Sequence, residues 1–320
     1  MKTRHKFGIG LLGILGVVYV YNASWIAGPP SGEMTLISHR GVHQTFSREG
    51  LTNTTCTAER IFPIEHQYIE NTTESFTAAI GYGADMIELD VHPTIDGEFV
   101  VFHDWTLECR TDGTGRVRDH ELASLKALDI GHGYTFDNGQ TFPLRGKLFG
   151  AMPTLDEVLS EFPDTRFIIN IKSRSKAEAI ALLNYIEPDI FSRLSFSGHA
   201  SPLSLIQTER SDIVALSRAQ SKACLKNYVL TGWFGNMPKA CHRAYVPVPA
   251  NFRWGIWGWP NRFEKRLNAV GSRSMLMGPY KGTGSTGIDT PDMTSLIPKT
   301  YTGLVWTNKI EVTGPALAQR

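Results

Sequence analysis

The chain has 320 residues, of which 42% are hydrophobic and 20% charged, a composition typical of a folded globular protein with a substantial core. Its 32 lysines and arginines nearly balance 31 aspartates and glutamates, and the basic residues are scattered along the sequence. No nucleic-acid partner is expected, because proteins that bind polyanions usually have a basic excess or a basic stripe.

Residues 1–28 predict a segment that leads the chain to a membrane. Basic residues precede an apolar run over residues 7–21, and such residues stay on the cytoplasmic side, so the remainder is expected on the periplasmic or extracellular face. A signal-peptidase site needs small residues in an Ala-x-Ala pattern, but Tyr21 or Trp25 stands two positions before each candidate. We therefore expect an uncleaved anchor over residues 7–26, and a cleaved signal peptide is the alternative.

Nine β-rich segments alternate with helical ones over residues 33–320, which predicts one domain with a parallel α/β architecture. Several helices have recognisable starts, namely a capping box from Thr154 to Glu157 and caps at Ser175 and Ser201. The predicted strands are residues 35–41, 86–92, 99–104, 166–172, 193–197, 212–218, 245–249, 272–278 and 303–308.

The second and third predicted strands cannot be parallel neighbours, because the loop between them is too short for a crossover. Asp96-Gly97 at the centre of this loop favours a hairpin, which would bring His103 roughly opposite Asp90. Eight strands then remain for the barrel itself. The predicted fold is a (β/α)8 TIM barrel with a hairpin insertion after the second strand.

Four cysteines form an even set in a chain that is expected to be exported, so disulfides are permitted. Three pairings are possible, and ordinary buried thiols are the alternative. We expect sequence neighbours to pair, Cys56 with Cys109 and Cys224 with Cys241. No Cys-x-x-Cys spacing occurs, so a zinc site is not expected.

Polar residues gather where the predicted barrel strands end, which is the end at which barrel enzymes have their active sites. A single histidine or aspartate at a strand end is more often structural, so the indication comes from the clustering on successive strands. The cluster consists of His39, Arg40, Glu70, Glu88, Asp90, His103, Asn170 and Lys172.

Glu88 and Asp90 lie on one face of their strand, because side chains alternate along a strand with a period of two. Two carboxylates on one face repel each other unless a positive charge lies between them. Asn170, on the neighbouring strand, can add an amide oxygen. This set of oxygen ligands predicts one divalent cation, Mg²⁺ or Ca²⁺ rather than Zn²⁺.

The remaining residues of the cluster suit a phosphodiester. Arg40 offers a planar fork and Lys172 a point charge for a phosphate group. His39 and His103 come from different segments, and two such imidazoles can supply one general base and one general acid near neutral pH. The sequence leaves open which histidine has which role.

The motifs, taken in order, resemble the glycerophosphodiester phosphodiesterase family over residues 36–172. This resemblance implies a phospholipase-C-like barrel that hydrolyses glycerophosphodiesters to glycerol 3-phosphate and an alcohol. It implies His39 and His103 as the acid/base pair, and Glu70 as a residue that orients Arg40 or lies near the metal. The matching runs are His39-Arg40-Gly41, Glu70-Asn71-Thr72, Glu88-Leu89-Asp90-Val91, Asp96-Gly97, Phe102-His103-Asp104, Thr111-Asp112-Gly113-Thr114-Gly115 and Pro153-Thr154-Leu155-Asp156-Glu157-Val158.

The sequence departs from the family pattern in its second half. Asn170 stands where the family has glutamate in a Glu-x-Lys motif, and this loss of a charge should weaken metal binding. The usual Trp-Thr-Val-Asn segment is missing from the penultimate strand, while the last strand ends Val-Trp-Thr-Asn at Asn308.

Two alternatives to the small soluble substrate stay open. One is a lipid phosphodiesterase of the phospholipase D or lysophospholipase D type, and the other is a catalytically inactive envelope binding protein. The aromatic residues between Phe252 and Phe263 either pack in the core or form an apolar rim for a lipid substrate.

Overall fold

The chain forms a nearly closed barrel of eight parallel strands in a computed structural model that describes residues 2–52, 54–282 and 286–320, with side chains from residue 12 onward. The strands of the described residues are β1 (Thr35–His39), β2 (Met86–Pro93), β3 (Phe99–Val101), β4 (Arg166–Ile171), β5 (Leu194–Gly198), β6 (Ala215–Ser217), β7 (Tyr245–Pro249), β8 (Arg273–Met277) and β9 (Leu304–Thr307). Their order around the sheet is β6-β5-β4-β2-β1-β9-β8-β7, and a bridge between Ala215 and Ala244 links the strands at the two ends.

Helices pack around the outside of the barrel, except the first helix, whose side chains from Leu12 to Tyr21 are mostly exposed. In the described residues they are α1 (Lys2–Asn22), α2 (Ser24–Ala27), α3 (Thr73–Gly81), α4 (Leu122–Lys126), α5 (Leu155–Glu161), α6 (Lys176–Tyr185), α7 (Ala200–Glu209), α8 (Arg218–Thr231), α9 (Asn261–Asn268) and α10 (Ile310–Ala318). Short 3-10 helices lie at Ala58–Arg60, Val117–Asp119, Pro188–Arg193, Gly232–Phe234, Lys239–Cys241, Arg253–Gly255 and Pro291–Leu296.

The predicted barrel and its hairpin insertion are confirmed. β3 pairs with β2 in the antiparallel direction, and Gly97 takes a φ of 92° in the tight turn between them. The predicted register of this hairpin is wrong by one residue. Phe102, not His103, lies opposite Asp90 and donates its backbone N–H to the Asp90 carbonyl at 3.0 Å. His103 is therefore carried one residue beyond the paired strands, toward the barrel end.

The helix starts follow the predicted caps with one exception. Thr154 and Glu157 form the capping box of α5, and the Ser175 hydroxyl caps α6. The prediction for Ser201 is wrong, because α7 begins at Ala200 and Ser201 lies inside its first turn. Proline at position 202 is compatible with this earlier start, since the first turn of a helix has no intrahelical partner for its N–H groups.

Side-chain alternation separates two apolar layers. Ile37, Met86 and Ile168 point into the barrel, whereas their neighbours Leu36 and Ile87 pack outward against the helices. The residues two positions after the inward ones share the same face. The inward layer therefore continues with polar side chains toward the carboxyl ends of the strands.

Both predicted disulfides, Cys56–Cys109 and Cys224–Cys241, are confirmed. The described residues contain no helix that is both long and apolar enough to cross a membrane. Met1 and the side chains of residues 2–11, which belong to the predicted leader, lie outside this description.

Candidate active site

The strand registers bring predicted site residues side by side. His39 is the partner of Glu88 across β1 and β2, and Asp90 is the partner of Asn170 across β2 and β4. All four share the inward face of the barrel, and Lys172 follows directly after β4. Side chains from three adjacent strands therefore converge at the carboxyl end of the barrel.

Arg40 is held at this end by a sharp turn after β1. Its φ of 61° is unusual for a residue with a side chain, and its backbone N–H donates to the Glu88 carbonyl at 2.8 Å. Gly41 follows with a φ of 78°, and a Cβ there would lie 2.1 Å from the Ser75 hydroxyl. The close packing of α3 thus requires the glycine of the His-Arg-Gly run.

Asp90 is fully buried and surrounded by donors. The amide nitrogens of Asn170 and Asn71 donate to its two oxygens at 2.7 and 3.1 Å, and Lys172 Nζ donates at 3.3 Å. Arg40 Nε forms an ion pair with it at 3.1 Å. Burial by itself would raise the pKa of Asp90, but Lys172 and Arg40 outweigh it and hold the pKa well below the usual range.

Glu88 has the opposite environment. Its Oε2 atom is buried and has no hydrogen-bond partner among the described residues, and the closest cationic candidate, His39 Nε2, lies 3.7 Å away. Burial and the neighbouring charge of Asp90 raise the pKa of Glu88 to about 8. A buried carboxylate without a donor is costly, and a bound cation is one way to satisfy it.

The residues present are therefore compatible with a divalent cation. The orphaned oxygen of Glu88 lies beside Asp90, and Asn170 contributes an amide, so the set has two charged ligands. In the described residues no group of three or more His, Cys, Asp or Glu side chains forms a metal site, which agrees with a set that includes an amide. The predicted cation and its ligands stay a prediction.

The tautomer of His39 follows from its neighbours. Asn308 donates its amide nitrogen to the Asp289 carboxylate at 2.9 Å, which fixes the orientation of the amide. Its oxygen therefore faces His39 Nδ1, at 2.7 Å, and Nδ1 must carry the proton. Burial and then Arg40 lower the pKa of His39 well below its usual value, so the ring is neutral with a free Nε2.

His103 has a carboxylate partner instead of an amide. Its Nδ1 lies 2.5 Å from Asp104, and Arg110 donates to the same carboxylate at 2.8 Å. Arg110 also pairs with Glu70 at 3.3 Å, and Glu70 accepts from Arg40 at 3.1 Å. Burial would raise the pKa of Glu70, but Arg110 and Arg40 lower it to about 2, so this chain of charges stays ionised.

The eight predicted site residues thus occupy one cluster. Burial and then Arg40 lower the pKa of His103, and the charges of Asp90 and Lys172 also act on it, which connects the hairpin to the barrel centre. Glu70 contacts Arg40, as the resemblance implies. The catalytic and binding roles of the eight residues stay predictions.

A family model of glycerophosphoryl diester phosphodiesterases matches residues 39–244, which is more than half of the chain. The chain belongs to this family. The glycerophosphodiester phosphodiesterases of Caldanaerobacter subterraneus subsp. tengcongensis and Bacillus subtilis are 40% and 38% identical over 108 and 112 residues, 33% and 32% of this chain. The matched regions span 40% and 37% of those relatives' own lengths.

Two further kinds of relative match at lower identity. The rat lysophospholipase D GDPD1 is 28% identical over 187 residues, 57% of this chain and 58% of that protein. Crystal structures of family members superpose over most of the chain. The Agrobacterium tumefaciens enzyme gives a TM-score of 0.57 at 19% identity over 89% of this chain and 99% of its own, which supports the shared fold. An Oleispira antarctica phosphodiesterase in complex with sn-glycerol-3-phosphate gives 0.55 at 17% identity over 92% and 99%.

Four residues that support this family site were not singled out from the sequence. Asp104 and Arg110 stand in or beside the matching runs, so their position was a usable signal. Asn308 also had a usable signal, since it is the polar residue at the end of the last predicted strand. Asp289 had none, because it lies in the irregular segment between β8 and β9 and reaches the site through Asn308.

Proposed function

We propose that the chain hydrolyses glycerophosphodiesters to glycerol 3-phosphate and an alcohol. The observation that carries this proposal is the pair of imidazoles with different partners beside two cations. His39 is held by an amide and His103 by a carboxylate; Arg40 acts on both rings, and Lys172 acts on His103. Family membership over residues 39–244 supports the same reaction.

The arrangement assigns different roles to the two histidines. Arg40 and Lys172 bind the negatively charged phosphate. Neutral His39 accepts a proton at Nε2 from the nucleophile, either water or a neighbouring hydroxyl of the substrate. Burial and Arg40 lower the pKa of His103, but the hydrogen bond to Asp104 opposes them and favours the protonated ring, so we assign to His103 the proton that goes to the leaving oxygen.

Glu88, Asp90 and Asn170 are the residues that would hold a divalent cation in this proposal. When bound, Mg²⁺ or Ca²⁺ neutralises negative charge that develops on the phosphate oxygens. The orphaned Oε2 of Glu88 supports this assignment. Arg40 and Lys172, the two cations that pair with Asp90, also bind the phosphate of the substrate in this proposal.

We also propose that residues 7–26 anchor the exported protein. The supporting observation is the carboxyl-terminal end of this segment, which contacts the barrel domain. Buried Asn22 donates to the Trp233 carbonyl at 2.6 Å and accepts from Arg266 at 3.0 Å. The Ser24 hydroxyl accepts from the backbone N–H of Asn261 at 2.9 Å. Cleavage after this junction would remove these contacts.

A lipid substrate is the second candidate, favoured by the aromatic residues beyond β7 and β8. Trp254 is 84% exposed, and Phe252 is exposed and lies near Tyr280, with 6.4 Å between ring centroids. Phe263, by contrast, is fully buried, so this aromatic segment contributes to both the core and the rim. An exposed aromatic rim at the active-site end could contact an acyl chain, as in a lysophospholipase D substrate.

The test is an assay of the full-length protein with Mg²⁺ or Ca²⁺ on glycerophosphocholine and on lysophosphatidylcholine. The main proposal expects glycerol 3-phosphate as the faster-formed product, whereas preferred release of lysophosphatidic acid would favour the lipid candidate. His39→Ala and His103→Ala should each lower kcat by roughly 100-fold or more. His242→Ala, an exposed histidine before β7, is the control. Hydrolysis of neither substrate, together with no hydrolysis of glycerophosphodiesters that have other alcohols, would overturn the proposal.

A further inference from the structure

A second cavity adjoins the proposed catalytic centre. It has a volume of about 560 Å³ and opens at the carboxyl ends of β4, β5 and β6. Asn170 and Lys172 form its border with the catalytic centre, so a group bound there is next to the phosphate position. The side chains that define its chemistry further out are Trp105, His199, Arg218 and Lys222.

The charge of this cavity is one-sided. Lys172, Arg218 and Lys222 line it, and no carboxylate is among the described residues that do so. Lys172 already pairs with Asp90, but Arg218 and Lys222 form no ion pair within the described residues. Cations that converge on a cavity without a counter-ion attract an anionic ligand.

Two helix starts reinforce the positive potential. The first residues of α7 and α8, Ala200 and Arg218, both line the cavity. Unpaired N–H groups give the first turn of a helix a partial positive charge, which favours anions. The buried Ser197 hydroxyl, which has no partner in the described residues, lies beside Asn170 in the strand register. Its neighbour Gly198 lines the cavity, so this unpartnered hydroxyl lies next to the cavity wall.

A cationic alcohol such as choline fits this cavity poorly. Arg218 and Lys222 would repel its trimethylammonium group. The Trp105 ring, which could otherwise bind a cation, already stacks with the Arg118 guanidinium at 4.9 Å from the ring centroid. A neutral alcohol would leave the cations without a partner. The cavity is therefore matched to a negative charge beyond the scissile phosphate.

We propose that the cavity binds the leaving alcohol of the substrate, and that this alcohol carries an anionic group, with phosphate as the best match. This inference rests on the proposed hydrolysis and adds a substrate class to it, namely glycerophosphodiesters of a phosphorylated alcohol. Arg218 and Lys222 bind the distal anion, while Lys172 lies between it and the scissile phosphate.

The first experiment compares three soluble substrates that differ in the charge of the alcohol. These are glycerophosphocholine, glycerophosphoglycerol and glycerophosphoglycerol phosphate, assayed with the full-length protein. The kcat/KM should rise in that order. Arg218→Ala and Lys222→Ala should each lower the ratio of kcat/KM for the phosphorylated substrate to that for glycerophosphoglycerol by about tenfold. Lys299→Ala, which removes an exposed charge before β9, should leave this ratio unchanged.

The second experiment measures binding without turnover. Calorimetry of glycerophosphoglycerol phosphate with His39→Ala should show a Kd that rises about tenfold when Lys222→Ala is added. Equal ratios in the parent and both cavity variants, together with equal Kd values, would overturn the assignment of the cavity. Failure of all three substrates to react would overturn the proposed hydrolysis, while the Kd values would still decide whether the cavity binds the distal anion.

Discussion

The two histidines of the site differ in what fixes them. An amide oxygen accepts from His39, whereas a carboxylate accepts from His103. A carboxylate stabilises a protonated imidazole more strongly than a neutral amide does, because only the carboxylate is charged. In the proposed mechanism the two rings have opposite proton transfers, and the difference between them lies in Asn308 and Asp104.

The role of Asn308 can be tested with Asn308→Ala. The His39 ring would lose the acceptor that fixes its tautomer, so kcat should fall by about 10- to 100-fold while KM changes little. The hydrogen bond that His39 donates to Asn308 raises the pKa of His39, so its loss lowers that pKa further. A base with a lower pKa stays neutral to lower pH, and the acidic limb of the pH profile should therefore move to lower pH.

Steady-state kinetics of Asn308→Ala across the acidic range is the measurement. Asn268→Ala, an exposed asparagine at the end of α9, removes the same group far from His39 and serves as the control. A variant with the kcat of the parent and an unmoved acidic limb would contradict the positioning role of Asn308.

We expect Asn170 to determine how strongly the site holds the predicted cation. Asn170→Asp adds a third carboxylate to Glu88 and Asp90, so affinity for Mg²⁺ or Ca²⁺ should increase. The variant also loses the amide N–H that donates to Asp90 at 2.7 Å and places two carboxylates together. Without metal it should therefore be less stable than the parent, and its melting temperature should rise more when metal is added.

Calorimetric titration of metal into the stripped parent and Asn170→Asp checks this prediction, with thermal unfolding of both proteins as the second readout. Asn170→Ala, which removes both the amide and any added charge, separates the loss of the hydrogen bond from the gain of a ligand. Equal metal affinities in the parent and Asn170→Asp would exclude Asn170 from the ligands.

At the scale of elements, the sequence predicted correctly those features that depend on a single strand or turn. The alternation of Glu88 and Asp90 fixed which face they share, and Asp96-Gly97 identified the hairpin. Contacts between distant segments were harder, because Asp289 acts only after β9 brings Asn308 beside it. The three hydrogen bonds to Asp90 and its ion pair with Arg40 likewise depend on separate loops and strands, which no local sequence pattern records.

The Cys56–Cys109 disulfide connects the long insertion after β1 to the segment that supports His103. Thr57 accepts from Arg110 at 2.8 Å, and each residue directly follows one of the two cysteines. Removal of this disulfide by Cys56→Ala with Cys109→Ala should lower the free energy of unfolding by about 4 kcal/mol in the chain-entropy model, given a separation of 53 residues. It should also lower kcat, because Arg110 holds Asp104.

The second disulfide provides a matched comparison. Cys224 and Cys241 are 17 residues apart, and Cys224→Ala with Cys241→Ala should lower the free energy of unfolding by about 3 kcal/mol. This pair connects α8 to the 3-10 helix before β7, so kcat should stay close to that of the parent. Denaturant unfolding and kinetics of both double variants are the measurements, and equal losses of kcat would contradict a specific role for the first disulfide.

At the scale of the whole molecule, the active-site end of the barrel has two different sides. The strands β4 to β6 border the cationic cavity, while the exposed aromatic residues lie beyond β7 and β8. A glycerophosphodiester has two arms that meet at one phosphate. In the proposed hydrolysis the two sides would offer separate surfaces to these two arms, with the cluster around Asp90 between them.

The proposed anchor would determine where the proposed reaction takes place. If residues 7–26 anchor the protein, the full-length chain should remain with membranes after an alkaline wash and keep its full mass. Leu15→Asp places a charge in the apolar run at a cost of roughly 2.5–3.5 kcal/mol, so this variant should shift to the soluble fraction. Ser31→Asp adds the same charge outside the run and should stay with the membranes. Fractionation with intact mass measurement decides between the two forms, because soluble parent protein with an N-terminus beyond residue 20 would show a cleaved signal peptide. In that case the contacts of Asn22 with Trp233 and Arg266 would be absent from the mature protein.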